Sequence, residues 1–258
     1  MARRAVAPAI ALARGRALHP PDVGFVDLHS HVLFGLDDGS RDLATSRAMI
    51  AALGAVGFTE IYATPHQKAG QFMPTRASID DAFAAVSAIV APGVQLRLAA
   101  ENMWDDVFHE RLQAGGIPSY DDSDAFLVEI RPHELPVGMV DQLFRLRMKG
   151  KCPVLAHPER YEKLWHDDGL IERLRAQCAF VCDLGAIAGY HGKQQQKMAR
   201  RLVEDGLAAA VASDAHTVED VRTAAEGIAW IEKRLGKAGV TRLLDDGPRC
   251  VLLGELPE

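Results

Sequence analysis

The sequence predicts an α/β protein with a parallel sheet and crossover helices, closed into a distorted, TIM-like (β/α)7 barrel. Seven short apolar runs alternate with longer segments of helical spacing along the 258 residues, a pattern that favours parallel strands joined by helices. Most of these runs end in a histidine or an acidic residue, which in parallel folds marks the edge that carries a site. Residues 25–258 show no linker-like change in composition, so we treat them as one domain.

Predicted strands are short runs rich in apolar and β-branched residues. The first one enters the stretch from Phe25 to Gly39. The other six cover residues 60–63, 94–100, 125–128, 153–156, 180–182 and 208–212.

Predicted helices have apolar residues three and four positions apart. The first covers residues 40–56, with Ser40 or Asp42 as its N-cap and Gly57 as its stop. The others cover residues 78–90, 139–149, 170–176, 193–204, 218–235 and 238–244. Residues 67–76 form a loop that either covers a site or simply connects two elements.

Composition excludes several classes of protein. The formal charge of -6 argues against a general nucleic-acid-binding surface, and no segment is long and apolar enough for membrane insertion. The four cysteines lack zinc-ribbon spacing and are interpreted as reduced thiols of a cytoplasmic protein. Residues 1–24 place arginines around an alanine-rich run that Pro8 interrupts, which predicts a flexible extension instead of a signal peptide.

Nine histidine and acidic side chains stand at strand ends or in the loops that follow them. They are His29, His31, Asp38, His66, Glu101, Glu129, His157, Asp214 and His216. Because carboxyl ends of parallel strands meet at one edge, we expect these side chains to converge. Each has a structural alternative when taken singly, such as Asp214 capping the next helix. The set is too large for one ion and predicts two or three divalent ions, with Mn, Fe, Zn or Co all acceptable.

Two residues near these ligands are candidates for substrate binding. Arg160 suits bidentate capture of a phosphate group, with a salt bridge to Glu159 or Glu162 as the structural alternative. His191 follows the sixth predicted strand and is placed to contact a substrate. Asp183 ends that strand outside the ligand set, and it either orients a ligand histidine or faces water.

Motifs carrying these residues follow one another from about Val26 to Leu253. They are Asp27-Leu28-His29-Ser30-His31, Asp37-Asp38-Gly39, Thr64-Pro65-His66, Ala100-Glu101, Val128-Glu129, Ala156-His157-Pro158-Glu159-Arg160 and Ser213-Asp214-Ala215-His216. Together they resemble the polymerase-and-histidinol-phosphatase (PHP) superfamily. Within it, the Asp-Asp-Gly, the run extended through Tyr161 and the segment Tyr190 to Lys193 are most similar to bacterial manganese-dependent protein-tyrosine phosphatases of capsule and exopolysaccharide loci.

The resemblance implies the PHP fold, a distorted (β/α)7 barrel, with a trinuclear site in which Mn is the favoured metal. It also implies hydrolysis of phosphotyrosine on a tyrosine autokinase that controls polysaccharide export. Arg222 takes the place of an arginine that the family commonly has shortly after the Ser-Asp-Ala-His motif, one position late, and is predicted to bind substrate. Asp183 stands where the family commonly has an asparagine.

The predicted reaction is phosphomonoester hydrolysis, in which the ions activate water and act with Arg160 on the phosphoryl oxygens. A phenol with a pKa of about 10 leaves more readily than an alkyl alcohol, and His66, His216 and Asp38 are the candidate proton donors. Two alternatives remain open: a PHP-type phosphatase on a small metabolite such as histidinol phosphate, and a non-catalytic metal-binding regulatory module. The sequence carries no signal for the oligomeric state.

Overall fold

The structure, a computed structural model, describes residues 24–121 and 123–256. The predicted flexible extension at residues 1–24 lies outside this range except for Gly24. The domain boundaries therefore stay a prediction.

Short parallel strands form two sheets in the described part of the chain. One sheet has the order β1-β2-β4, and the other has the order β3-β5-β6-β7-β8-β9, with every pair parallel. The strands are β1 (Phe25–Ser30), β2 (Phe58–Ala63), β3 (His66–Gln67), β4 (Gln95–Leu98), β5 (Glu101–Met103), β6 (Ala125–Glu129), β7 (Cys152–Ala156), β8 (Ala179–Asp183) and β9 (Ala210–Ala212). The predicted α/β class with parallel strands is confirmed.

Helices separate most of the strands along the chain. They are α1 (Leu43–Val56), α2 (Arg76–Ser87), α3 (Asp106–Ala114), α4 (Met139–Met148), α5 (Asp168–Arg175), α6 (Leu184–Ala188), α7 (Lys193–Glu204), α8 (Val218–Thr241) and α9 (Gly247–Leu252). Asp42 caps α1 by accepting a hydrogen bond from the Thr45 N–H, and Gly57 ends it with a φ of 121°. No helix in this part of the chain combines the length and apolar character that a bilayer crossing needs.

Helices α3, α6 and α9 were not predicted, and the helices predicted over residues 218–235 and 238–244 are joined in α8. Helix α3 buries only one side chain, Phe108, so its apolar spacing is weak. Helix α6 is five residues long and almost wholly buried, which hides any amphipathic period. Helix α8 takes in the predicted break between residues 235 and 238, where Gly236 has a φ of 71° and lies outside the helical region.

Two short strands that were not predicted, β3 and β5, lie beside the cluster of predicted ligands. The predicted strand at residues 94–100 contains β4 alone, and β5 starts after it, so Glu101 begins a strand instead of following one. In the same way, β3 begins at His66 shortly after β2 ends. Ala99 and Ala100 are as apolar as the strand before them, so the sequence gives no sign of this break. Its consequence is that His66 and Glu101 become direct register partners.

The two sheets approach each other where the first and last strands end. The Asp214 N–H donates to the His29 carbonyl and the His31 N–H donates to the Ala215 carbonyl, each at 2.9 Å. These bonds join the end of β1 to the loop after β9. They hold the segments that carry four predicted ligands next to one another.

Alternate residues along the strands enter two different apolar clusters. On β8, Phe180 and Cys182 pack with helix side chains such as Leu53 and Leu202. Val181 packs in a second cluster composed mainly of strand residues from both sheets. Burial on both faces is typical of parallel sheets and explains why the predicted strands read as continuous apolar runs.

Candidate metal centre

Glu101 lies at the centre of a cluster of four histidines. Its Oε2 atom is 3.3 Å from His29 Nε2, 3.5 Å from His31 Nε2 and 2.8 Å from His66 Nδ1. Its Oε1 atom is 2.9 Å from His157 Nε2. A carboxylate whose two oxygens face different imidazoles is placed to bridge metal ions.

Asp214 reaches the same cluster from the loop after β9. Its Oδ1 atom lies 3.3 Å from His29 Nε2 and 3.5 Å from His31 Nε2. Asp214 and His157 both have left-handed backbone, with φ values of 45° and 36°. This conformation costs energy in residues other than glycine and tends to concentrate at functional sites. Both positions carry predicted ligands.

The outer side of the cluster contains the remaining ligands. Asp38 Oδ1 is 3.4 Å from both His66 Nε2 and His216 Nε2, and Glu129 Oε1 is 3.3 Å from His66 Nδ1. The His216 ring stacks on the His31 ring with 4.0 Å between centroids. All nine predicted ligands therefore converge, and they form four overlapping groups whose ligand atoms lie within 4.8 Å of one another.

The buried atoms of this cluster fit divalent cations. His66 Nδ1, Glu101 Oε2 and Glu129 Oε1 are buried, and none has a partner of hydrogen-bonding geometry. Buried polar atoms normally find such partners, so three converging orphan atoms indicate a missing electrophile. The mixture of imidazole and carboxylate ligands suits Mn, Fe, Zn or Co. A centre for divalent metal is the arrangement that satisfies them.

The pKa values of two carboxylates in the cluster favour the ionised form that binds cations. Burial raises the pKa of Glu101, but the surrounding histidines, beginning with His29, bring it well below its usual value. The pKa of Asp214 is likewise well below the usual value, because His29 and Arg160 outweigh its burial. Both carboxylates are therefore ionised at neutral pH, as metal ligands must be.

Asp37 was not predicted as part of the site, yet it orients two ligands. It accepts hydrogen bonds from His31 Nδ1 at 2.8 Å and from the backbone N–H groups of His66 and Gly39 at 3.0 Å. Burial would raise its pKa, but the bond and charge of His31 with the backbone donors lower it to about 2. The bond to Nδ1 leaves His31 Nε2 free to bind metal. Gly39 must lack a side chain here, because a Cβ would lie 2.4 Å from His31 Cβ.

Asp27 is a second functional residue that the sequence analysis missed. It is fully buried and accepts hydrogen bonds from Ser213 Oγ at 2.6 Å and Ser213 N at 2.9 Å. Burial raises its pKa to about 6 in spite of these bonds. Asp27 thereby ties the strand of His29 to the loop of Asp214. Its two-residue spacing from His29 on the same strand was the available signal.

Arg160 contacts the centre directly. Its Nη2 atom donates to Asp214 Oδ2 at 2.5 Å and to Asp183 Oδ2 at 2.7 Å, and its side chain is 26% exposed. The alternative salt bridge to Glu159 or Glu162 is absent from the ion pairs of the described residues. Asp183 is buried against Arg160, so it neither faces water nor contacts a ligand histidine.

A cavity of about 230 Å³ opens beside the centre. The residues of its wall that matter here are Arg160, Asp183, Tyr190, His191, Asp214 and His216. His191 Nε2 is 2.6 Å from Asp183 Oδ2. The cavity thus places a predicted substrate-binding histidine next to the guanidinium group and two predicted metal ligands.

Arg222 is not brought to this cavity. Its side chain is 71% exposed and donates to Glu219 Oε2 at 2.6 Å, one turn earlier on α8. The next residue, Thr223, lines the cavity instead. Oppositely charged side chains three positions apart on a helix attract each other along its surface. The attraction to Glu219 directs Arg222 away from the cavity. Its role in substrate binding stays a prediction.

A family model described as "Capsular polysaccharide synthesis, CpsB/CapC" matches residues 25–253. The tyrosine-protein phosphatase YwqE of Bacillus subtilis (strain 168) is 31% identical over 204 residues, covering 75% of this chain and 78% of its own length. The tyrosine-protein phosphatase CpsB of Streptococcus pneumoniae is 29% identical over 249 residues, covering 90% and 99%.

Solved structures agree with these sequence matches. A structure reported for YwqE from Bacillus subtilis and CpsB from Streptococcus pneumoniae as "unique metal-dependent tyrosine phosphatases" superposes with a TM-score of 0.79 at 27% identity, covering 89% of this chain and 95% of that one. An organophosphorus hydrolase variant from Deinococcus radiodurans gives a TM-score of 0.56 at 14% identity, covering 95% and 97%. The second match concerns the fold alone.

Proposed function

The chain belongs to the CpsB/CapC family of capsular polysaccharide synthesis, and we propose that it is a metal-dependent protein-tyrosine phosphatase. The observation that carries this proposal is the convergence of nine predicted ligands, with Glu101 at their centre, beside a cavity that contains Arg160. A purely structural metal site needs only four ligands. The excess of ligands and the adjacent cationic cavity support catalysis on a phosphate ester over an inert regulatory module.

Two or three divalent ions, with Mn favoured, are the proposed cofactors. The nine converging side chains would hold them, and Glu101 is the residue best placed to be shared. When bound, such ions supply an activated water and neutralise charge on the phosphoryl group. The observation that supports a multinuclear site is that the ligand atoms form four overlapping groups around shared residues.

Arg160 is the proposed ligand of the phosphoryl oxygens. Its Nη2 atom is held by Asp183 and Asp214, while Nη1 and Nε make no hydrogen bond within the described residues. A guanidinium carries five N–H donors, so it retains donors for a phosphate while its position is fixed. The two carboxylates also place it at a set distance from the metal ligands, which a free surface arginine would not have.

The proposed substrate is a phosphotyrosine protein, and the proposed partner is a bacterial tyrosine autokinase that regulates capsule or exopolysaccharide synthesis. The names of the relatives support a phosphotyrosine protein as the substrate, and the family description supports a role in capsule synthesis. A cytoplasmic location is part of the proposal. Its support is that all four cysteines are unpaired, as in reducing compartments.

The finer description of the fold is also a proposal, namely a distorted (β/α)7 barrel. Only two residues separate β2 from β3 and β4 from β5, so each pair acts as one interrupted strand of the barrel. The backbone hydrogen bonds from His29 and His31 to the loop after β9 bring the first and last strands together. An inner apolar cluster drawn mainly from strand residues fits a barrel interior.

Turnover of defined substrates tests the function. The purified protein, supplied with Mn²⁺, should hydrolyse a phosphotyrosine peptide faster than a phosphoserine peptide or histidinol phosphate, and a chelator should abolish the activity. Glu101→Gln should be inactive, whereas Glu134→Gln, the same change at an exposed surface pair, should match the unmodified chain. Preferential turnover of histidinol phosphate would make the protein a small-metabolite phosphatase. Loss of stability on chelation without any turnover would make it an inert module.

A further inference from the structure

His191 occupies a position in the cavity that none of the metal chemistry uses. It lies between α6 and α7 and forms part of the wall that also contains Arg160 and Asp214. Its Nε2 atom is 2.6 Å from Asp183 Oδ2, and its Nδ1 atom has no hydrogen-bond partner among the described residues. Arg160 Nη2 lies farther from the same Nε2 atom, at 3.3 Å. Nε2 therefore faces the Asp183–Arg160 pair, with the carboxylate closer, and Nδ1 is left for a substrate.

Asp183 holds this imidazole in a defined state. It is fully buried, accepts a hydrogen bond from Gly185 N at 2.6 Å and pairs with both Arg160 and His191. Burial would raise the pKa of Asp183, but these two partners lower it. An ionised carboxylate facing Nε2 keeps a proton on that nitrogen, so a protonated ring presents its second proton at Nδ1. Gly185 permits the close approach, because a Cβ there would lie 3.3 Å from His191 Nε2.

The other protonatable groups at the cavity are unsuited to give a proton. His216 Nδ1 donates to the Asp214 carbonyl, and its Nε2 faces Asp38. His66 has carboxylates opposite both ring nitrogens. As metal ligands, His66, His216 and Asp38 carry no spare proton, although the sequence made them the candidate donors.

Two remaining groups on the wall are also poor donors. Asp220 accepts three hydrogen bonds at Oδ2, from the N–H groups of His216 and Thr217 and from the Thr217 hydroxyl, so this oxygen is occupied by donors of its own segment. Tyr190 carries a phenol, which is no stronger an acid than the phenol that leaves from phosphotyrosine. Imidazole has the reference pKa nearest neutrality of the side-chain groups, which suits a general acid.

We propose that His191 is the general acid that protonates the leaving phenolic oxygen of an aryl phosphate, with Asp183 as its positioning residue. The inference rests on the proposed phosphatase function. Water adds its oxygen to phosphorus and gives up one proton to solvent, and the bond from phosphorus to the phenolic oxygen breaks. The electron pair of that bond stays on the phenolic oxygen, which takes the Nδ1 proton of His191. The neutral imidazole then regains a proton from solvent.

The test is the dependence of rate on the acidity of the leaving phenol. In the metal-loaded protein, His191→Gln keeps a polar group opposite Asp183 but has no transferable proton. Because general acid catalysis is worth roughly 10²- to 10⁴-fold and matters least for good leaving groups, we expect a loss of at least tenfold in kcat on phenyl phosphate and phosphotyrosine. The loss on p-nitrophenyl phosphate should be under about threefold, since that phenolate needs little protonation.

Control variants separate the loss of the His191 proton from a change in the structure. His133→Gln removes a histidine that pairs with Glu162 at 2.8 Å on the surface, and it should leave every rate unchanged. Tyr190→Phe removes the neighbouring phenol and should leave the leaving-group dependence unchanged. Asp183→Asn should steepen that dependence in the same direction as His191→Gln. His191→Asn is the second variant at the position in case the first one folds poorly.

Readouts besides turnover complete the design. Metal content by elemental analysis and the Kd of a non-hydrolysable phosphonate analogue of phosphotyrosine should be unchanged in His191→Gln. Equal losses on all aryl esters, no loss on any of them, or a selective loss in Tyr190→Phe alone would each overturn the proposal. The aryl ester series judges His191 even if phosphotyrosine peptides are not turned over, so failure of the proposed substrate is recognised separately.

Discussion

Replacing Asp37 with asparagine removes one charge from beneath the metal centre while keeping the size of the side chain. Asp37 accepts three hydrogen bonds, from His31 Nδ1 at 2.8 Å and from the His66 and Gly39 N–H groups at 3.0 Å. An asparagine side chain has a single acceptor oxygen, and its amino group can only donate. At least one of the three donors must therefore lose its acceptor in Asp37→Asn.

The size of the effect follows from the two ways in which the amide can sit. With its oxygen toward His31 and His66, the amino group faces the Gly39 N–H, and an unpaired donor costs about 1–3 kcal/mol. If the amide is turned over, its amino group donates to His31 Nδ1. The imidazole proton then lies on Nε2, the atom that faces the other ligands. Loss of such outer partners typically lowers metal affinity by about 10- to 100-fold, or roughly 1.4–2.8 kcal/mol. We expect a loss in that range.

Competition with a metal buffer of known strength measures the affinity, with the bound metal counted by elemental analysis. Asp42→Asn makes the same chemical change at the N-cap of α1, where Asp42 accepts from the Thr45 N–H at 2.7 Å. Asparagine caps helices as well as aspartate does, so this variant should bind metal like the unmodified chain. Unchanged metal affinity in Asp37→Asn would refute the orienting role of Asp37.

Four further outcomes are expected. Arg160→Lys keeps the charge but loses the planar donor set, and kcat/KM on a phosphotyrosine peptide should fall about 10²-fold or more. Chelation of ions held at a thousandfold excess over their Kd removes about 4 kcal/mol of stability for each ion, or roughly 8–16 °C in Tm per ion for a domain of this size by calorimetry. Gly39→Ala forces a Cβ to within 2.4 Å of His31 Cβ, so metal affinity should fall without loss of helix content by circular dichroism. Cys152 is fully buried, and burial raises the pKa of its thiol to about 11, so iodoacetamide at pH 8 should label Cys152 far more slowly in the folded protein than in the unfolded protein, as measured by mass spectrometry.

The convergence of the nine predicted ligands could be foreseen because it depends on one local feature and one general rule. His29, Glu129 and Asp214 each stand where an apolar run ends, and parallel strands present those ends at one edge. The distances around Glu101 agree with that expectation. The break before Glu101 was not predictable, because Ala99 and Ala100 continue the apolar character of Leu98.

The ion-pair partners of charged residues were harder to predict than the positions of these residues at strand ends and in loops. The local alternative for Arg160 was an acidic residue two positions away or fewer, yet its partners Asp183 and Asp214 are 23 and 54 residues away. Only the tertiary fold brings those three together. Local charge proximity is therefore a weak guide where a loop crosses the mouth of a site.

Asp27 and Asp37 were missed for a related reason. An aspartate beside a proposed ligand looks the same in sequence whether it caps a turn, faces water or orients a histidine. What distinguishes the two residues is burial and the donors that meet them, Ser213 for one and His31 for the other. Both sets of contacts depend on loops that close over the strand ends.

The central claim is that the nine converging side chains bind several divalent ions and that these ions make the protein a phosphotyrosine phosphatase. Titration of metal-free protein with Mn²⁺, with bound metal and hydrolysis of a phosphotyrosine peptide measured in the same samples, tests it most directly. Activity should rise from zero as ions bind and should level off at two or three per chain. Full activity in the metal-free protein, or a filled centre with no hydrolysis, would contradict the account.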